Sequence, residues 1–457
     1  MSSGGKRDTT APRRRTGRRT VIGLGALVLV CGLLVGCAHW QVHRLETADV
    51  DWSTPLDYEG EATVAAGNVY VFDNFDGFDV IRMSDGKTLA SQFDSEALSM
   101  FVGRSGWFVT VAQQARPTMT FYSPTGKKVW QRPVHGGEPV QWIPQAIGDG
   151  TITYRDCATR GSCRMTSLDR TGRQLWSVDS LPNVRFGVAH RENRDQVEVN
   201  RGEARLQVLP TVAVANRAGR VTTLDRSGRP AGESIDAADS VLVGNTLIEV
   251  ARDGDACAYR GVRAGKEIWR TTADCSAMAA VSSVLAYPRR IFVGYDGKDT
   301  TSRRMVSIRL SDGHTHVHPK AWLGFDPETK TSRSVGEDVI VDQRKGRLTG
   351  IDPDTGDTMW HRTFSAKTGA PTVYVSNGAV SVLSSHSGFW RAMALRRDQG
   401  HDVVTIIQPR SGDVSARLLQ KSLSSTVGLG AASAMIGLDG GRGLVLTNDR
   451  LFSIGPD

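Results

Sequence analysis

The stretch DPDTGDTMW (residues 352–360) decides the fold because its spacing recurs. SPTGKKVW (123–130), DRTGRQLW (169–176) and VRAGKEIW (262–269) also place a tryptophan four residues after a glycine. Glycine enters the left-handed region of a tight turn at little steric cost, and an Asp or Ser just before it can hydrogen-bond the turn backbone. Beyond the turn, side chains alternate across a strand with period two, so the fourth residue points to a fixed face. A tryptophan held there has 150 to 250 Å² of surface to bury. Trp130, Trp176, Trp269 and Trp360 therefore read as packing residues, with Trp52 in DVDWSTP as a fifth.

Equivalent turn glycines fall at Gly86, Gly126, Gly172, Gly228, Gly265, Gly313, Gly356 and Gly412, with a mean spacing of about 47 residues. That is the length of a four-stranded propeller blade. Within each unit, short alternating apolar runs are separated by Gly, Asp and Pro turns, and no long helical period follows residue 40. The expected fold is an all-β propeller of four-stranded antiparallel blades over residues 50–457. Eight blades are favoured, within a range of seven to nine, because residues 183–245 and 386–412 break the pattern. GLVLTNDRLFSIGPD (443–457) supplies the first two strands of a unit and stops before its Trp strand. Pairing of ADVDWSTPL with that end closes the ring and removes the exposed sheet edges.

The apolar strand, "LD", "TG" and Trp at 123–130, 169–176 and 351–360, with a good match at 263–269, closely resembles the repeat of PQQ-like (pyrroloquinoline-quinone-type) β-propeller proteins. The resemblance extends in looser form over about residues 50–457. It implies either a calcium-dependent quinoprotein oxidoreductase or a cofactor-free scaffold. The dehydrogenases of that family carry a disulfide between adjacent cysteines over the quinone, and this chain has no Cys-Cys dipeptide. The resemblance therefore implies a non-catalytic binding or scaffolding propeller with no cofactor, the PQQ- and calcium-dependent or metal-dependent oxidoreductase being the alternative.

The net charge of +8 is concentrated in residues 1–19, which hold seven of the basic residues and one Asp. The body is left nearly neutral and gives no footprint for nucleic acid. After this basic tail, residues 20–40 contain the uncharged run Val21–Ala38, long enough to cross about 30 Å of hydrocarbon. The cationic side marks the cytoplasm, so residues 41–49 form a linker to an extracytoplasmic propeller. The expected location is the cell membrane, single-pass, with an unnamed envelope protein or ligand as partner. LVGC (34–37) also has the form of a lipobox, which makes Cys37 a lipidation candidate. The four body cysteines suit disulfides in an exported chain, Cys157 with Cys163 and Cys257 with Cys275.

Among candidates for chemistry, HTHVH puts His314, His316 and His318 on one strand face, a spacing that can present imidazoles to a metal. The strand follows an outer hairpin, where exposed polar residues are expected. DNFDGFD (73–79) and ARDGDACAY (251–259) are acidic, but they lack the oxygen ligands of a calcium loop and read as hairpin turns. Ser385, His386 and Ser387 are successive residues, so they cannot converge as a triad. Trp390 and Arg391 lie off the blade pattern and are contact candidates.

Overall fold

The computed structural model describes residues 49–455 apart from 58–59, 74–76, 94–96, 113–117, 134–141, 158–162, 181–205, 218–219, 237–239, 277, 298–303, 319–323, 327–330, 365–370, 377, 387–400, 422–433, 439–441 and 447–449. These residues form nine sheets, antiparallel but for one added parallel strand, and no helix. Each sheet is a blade with an inner and an outer strand. Blade 1 runs from Glu61–Ala65 out to Thr88–Phe93, blade 2 from Ala97–Gly103 to Lys128–Pro133, and blade 3 from Trp142–Ile147 to Gln174–Ser180. Blade 4 is the smallest, from Val214–Arg217 to Ile235–Asp236, and blade 5 runs from Ser240–Val243 to Lys266–Asp274. Blade 6 spans Met278–Tyr287 to Thr315–His318, blade 7 Thr331–Val335 to Thr358–Thr363, and blade 8 Thr372–Ser376 to Val414–Lys421. Blade 9 begins at Ala434–Leu438 and ends with the N-terminal strand Asp49–Pro55.

Nine blades replace the eight favoured by the turn spacing. The turn at Gly228 closes a sheet of its own, whose three strands are only four, four and two residues long. Strands that short carry too little alternation to stand out from the irregular sequence around them.

Ring closure runs through the N-terminal strand, with Trp52 opposite Ser453 and Thr54 opposite Leu451. Arg442–Leu446 and Arg450–Gly455 are the second and third strands of that blade, not the first two, because Ala434–Leu438 precedes them at the axis. Inner strands of neighbouring blades touch one another, as those of blades 7 and 8, 8 and 9, and 9 and 1 do. The inner strands therefore converge on the axis. Outer strands alternate exposed and half-buried residues, as in Lys128–Pro133. The core lies between blades in successive clusters, such as Val250, Tyr259 and Trp269 of blade 5 against Met278, Val293 and Val306 of blade 6. Cys257 and Cys275 form a disulfide inside that cluster, with Cα atoms 5.6 Å apart.

Candidate functional site: the blade joints and the funnel

All eight turn glycines have positive φ, between +69° and +80°. The outer hairpin they close carries a β-bulge in blades 1, 2, 3, 5, 7 and 8, and the bulge turns the fourth residue past glycine, not the third, onto the blade face. The Asp that opens the turn fixes it in blades 3 and 4. Asp169 Oδ1 accepts from the N–H of Thr171 at 2.8 Å and of Arg173 at 3.0 Å, and Asp225 Oδ1 does the same for Ser227 and Arg229. Hydrogen bonds from the Thr171 and Ser227 hydroxyls, with those from the backbone, hold both carboxyls below the usual carboxylate range.

The glycine has a second task, because the indole of the preceding blade lies flat on it. A Cβ at Gly86 would stand 2.5 Å from Trp52, at Gly228 2.6 Å from Trp176, at Gly313 2.8 Å from Trp269 and at Gly412 2.5 Å from Trp360. Any side chain there would drive the ring out. Three of these indoles also donate Nε1–H to a carbonyl three residues before the glycine: Trp52 to Met83 at 2.9 Å, Trp269 to Leu310 at 3.0 Å and Trp360 to Pro409 at 2.7 Å. The motif thus works between units: each Trp reads the turn of the next blade.

Within its own blade, the Trp lies opposite a small residue, Ser453 for Trp52, Ser167 for Trp176, Gly261 for Trp269 and Gly350 for Trp360. Trp130 is different, because its partner is Phe121. The two rings stack at 5.1 Å, and Trp107 stacks on the other side of Phe121 at 5.2 Å. Trp130 sits more loosely on Gly172, where a Cβ would stand 3.4 Å from the ring, and its buried Nε1–H has no acceptor among the described residues. A cleft of 370 Å³ opens there, lined by Trp130, Gln131, Arg132, Pro133, Thr171 and Gly172.

Of the eight joints with a turn glycine, three use no indole. Ala90 packs on Gly126, backbone at Ala231–Gly232 lies on Gly265, and His316 takes the ring position over Gly356. The hairpin of blade 6 has no bulge, so the residue three past its glycine, His316, faces Ser307 and fills the joint.

The three histidines separate. His314 precedes the outer strand and sets its Nε2 3.3 Å from the carbonyl of Asp354. His316 and His318 stay close, with ring centroids 4.6 Å apart. His318 is only 5% exposed, which corrects the expectation of exposed histidines on an outer strand. The turn of blade 7 covers it, and its Nε2 lies 3.1 Å from Ser307 Oγ and 3.2 Å from the Pro353 carbonyl. Burial first, and then His316 beside it, push its pKa down to about 3. Among the described residues, no three His, Cys, Asp or Glu side chains are placed to hold a metal.

The funnel wall consists of the nine inner strands, and their described residues include one carboxylate, Glu61. Two extra strands lie along it. Leu206–Leu209 pairs in parallel with Met100–Gly103 of blade 2 and touches the inner strands of blades 1 and 3. Gly324–Asp326 pairs with the inner strand of blade 7. Blades 2 and 7 face one another across a nine-membered ring, so the chain narrows its own funnel from both sides.

Cys157 and Cys163 stand opposite each other in the ladder of blade 3. Asp73 and Gly77 face each other across one acidic turn, and Asp253 and Ala256 across the other. Residues 1–48, with Cys37 and the candidate anchor 20–40, and Trp390, Arg391 and Ser387 lie outside the described residues; among those described, no helix is long and apolar enough to cross a membrane. The small partners of the indoles escaped the sequence reading, although a Gly or Ser eight to ten residues before Trp176, Trp269 and Trp360 is a readable signal. The funnel strand Leu206–Leu209 has no such signal, being one short apolar run among many.

Residues 217–406, from the end of the inner strand of blade 4 into blade 8, match the family model PQQ_2, described as outer membrane protein assembly factor BamB. The PQQ-like resemblance of the repeat is thereby met by a family model and by a nine-blade propeller. No curated protein matches the chain. Among solved structures, it is similar to BamB from Moraxella catarrhalis at 11% identity, over 89% of this chain and 99% of that one, with a TM-score of 0.42. Quinohemoprotein alcohol dehydrogenase from Comamonas testosteroni aligns at 10% identity over 90% of this chain and 76% of its own, with a TM-score of 0.37. The WD40 domain of SCAP from fission yeast aligns at 8% identity over 90% and 98%, with a TM-score of 0.41.

Proposed function

We propose that this propeller is a non-catalytic binding and scaffolding module of the cell envelope, held to the membrane by residues 20–40 with its N-terminus in the cytoplasm. The observation that carries this reading is the funnel wall. Calcium takes six to eight oxygen ligands, many of them carboxylates, and a wall whose described strands carry only Glu61, with Asp326 on the strand added at blade 7, does not fit a calcium-quinone centre. Two further strands of the chain occupy inner edges that a funnel ligand would need. The family model adds support, since its description is that of an assembly factor. A rigid ring of interlocked blades that presents loops on two faces suits recognition by many weak contacts.

The test is a titration of residues 41–457 with pyrroloquinoline quinone and Ca²⁺, followed by absorbance and unfolding. A ligand of the folded state adds about 2.7 kcal/mol at a hundredfold excess over Kd. The expected result is no quinone spectrum and no calcium-dependent shift; a clear shift with the spectrum would make the chain an oxidoreductase. For the anchor, a C-terminal fusion to a phosphatase that is active only outside the cytoplasm is expected to be active. Membrane retention that survives Cys37→Ala would favour the helix over a lipid.

A further inference from the structure

We propose that the cleft between blades 2 and 3 docks an acidic, extended peptide segment of a protein partner. One carbonyl or carboxylate oxygen of the segment accepts the Trp130 Nε1–H, and a carboxylate pairs with Arg132. The inference rests on the reading of the chain as a binding propeller.

Four observations converge on this site. The Trp130 N–H is buried with no acceptor among the described residues, whereas the indoles of Trp52, Trp269 and Trp360 each have a carbonyl at hydrogen-bond distance. A buried donor left unpaired costs about 1 to 3 kcal/mol, so an incoming acceptor has a standing gain to collect. A Cβ at Gly172 would stand 3.4 Å from the Trp130 ring, against 2.5 to 2.8 Å in the Trp52, Trp176, Trp269 and Trp360 joints, so the looser seat leaves the ring room to tilt toward that acceptor. The cleft beside the ring, at 370 Å³, is within the range of ligand sites of about 300 to 1,000 Å³ and suits one or two residues of an extended chain.

Charge decides the kind of segment. Arg132 lines the cleft. Lys127 and Lys128 lie on the hairpin and outer strand of blade 2, and Arg170 and Arg173 on the turn of blade 3, where Arg173 pairs with Asp169 at 3.4 Å. Asp169 is spent on the turn itself, where it accepts three hydrogen bonds. Arg132 in the cleft, on elements that carry four more cations against the engaged Asp169, favours an anionic partner, and its guanidinium suits two-point recognition of a carboxylate.

The experiment uses the full chain labelled with 5-fluorotryptophan, whose ten tryptophans give separate ¹⁹F signals, the one from Trp130 being assigned by its loss in Trp130→Phe. The probes are the peptides Ac-Glu-Glu-Ala-Glu-NH₂ and Ac-Gln-Gln-Ala-Gln-NH₂. The acidic peptide is expected to move the Trp130 signal saturably, with the other tryptophans unmoved. The neutral peptide should bind at least tenfold more weakly, and Arg132→Gln should abolish the difference. A Trp130 signal that stays fixed to about 10 mM peptide, well past the weak end of specific binding, overturns the proposal, as does an equal response to the two peptides or a uniform shift of all the signals. Quinone binding in the funnel would overturn the scaffold reading yet leave this signal in place, so the two failures are distinguishable.

Discussion

The joint from blade 7 to blade 8 and the joint from blade 2 to blade 3 begin with the same sequence device and end differently. In the first, Trp360 faces Gly350 in its own sheet, sinks onto Gly412 and donates to Pro409. In the second, Trp130 faces Phe121, rides above Gly172 and donates to nothing among the described residues. One residue on the neighbouring strand separates a closed joint from an open one. Trp360 is buried and Trp130 only partly so, although Trp130 has gained a stacking partner in Phe121. What it lost is the hydrogen bond and the close fit on glycine.

The sharpest way to break this comparison is truncation. Trp360→Ala should cost about 3 to 5 kcal/mol, the usual loss for a buried large side chain, and Trp130→Ala about half that, read from urea unfolding midpoints. Equal losses would mean that the cross-strand partner does not matter. Next in size is the pair of glycines. Gly412→Ala adds left-handed strain to a clash with Trp360 and should cost about 2 to 4 kcal/mol, whereas Gly172→Ala bears the strain alone, near 1 kcal/mol.

The joint from blade 6 to blade 7 extends the comparison to pH. Folded His318 titrates near 3 and the unfolded imidazole near 6.5, so between these values the unfolded chain binds the extra proton. Stability is therefore kept above pH 6.5 and lost as the pH falls toward 3, with a slope of up to about 1.4 kcal/mol per pH unit. Unfolding at pH 7, 6 and 5 should show this decline in the natural chain and a smaller one in His318→Gln; parallel curves would remove His318 as the cause. The smallest expected effect is Trp130→Phe, within about 0.5 kcal/mol because an orphaned donor is removed along with some ring area. Trp360→Phe, which strands the Pro409 carbonyl, should cost about 1 to 2 kcal/mol.

Much of the fold was legible because the sequence repeats a local solution. Gly126 and Trp130, or Gly356 and Trp360, carry turn, bulge and strand in eight or nine residues, and such a pattern needs no distant partner to be recognised. Blade 4 was lost for the opposite reason, since its strands are too short to show a period. The candidate site was less legible. Phe121 looks like any other core aromatic until its register opposite Trp130 is known, and register across a sheet is a property of pairing rather than of one strand. An outer strand predicts an exposed His318; what covers it is a turn from the next blade, centred on Pro353.

The clasp that closes the ring has a consequence in time. Asp51 bonds Ser453, 402 residues away, and Arg442 and Arg450 reach back to Asp51 and Ser53. Contacts this distant in sequence are the slowest to form, because the loop they close must first be ordered. The earliest strand of the propeller to be synthesised is thus the last to be paired. Until Arg450–Gly455 exists, Asp49–Pro55 is an unpaired edge strand, held only where Trp52 rests on Gly86 and Met83 of blade 1. A nascent chain therefore carries an adhesive end through the making of eight blades, and the ring's own completion is what removes it.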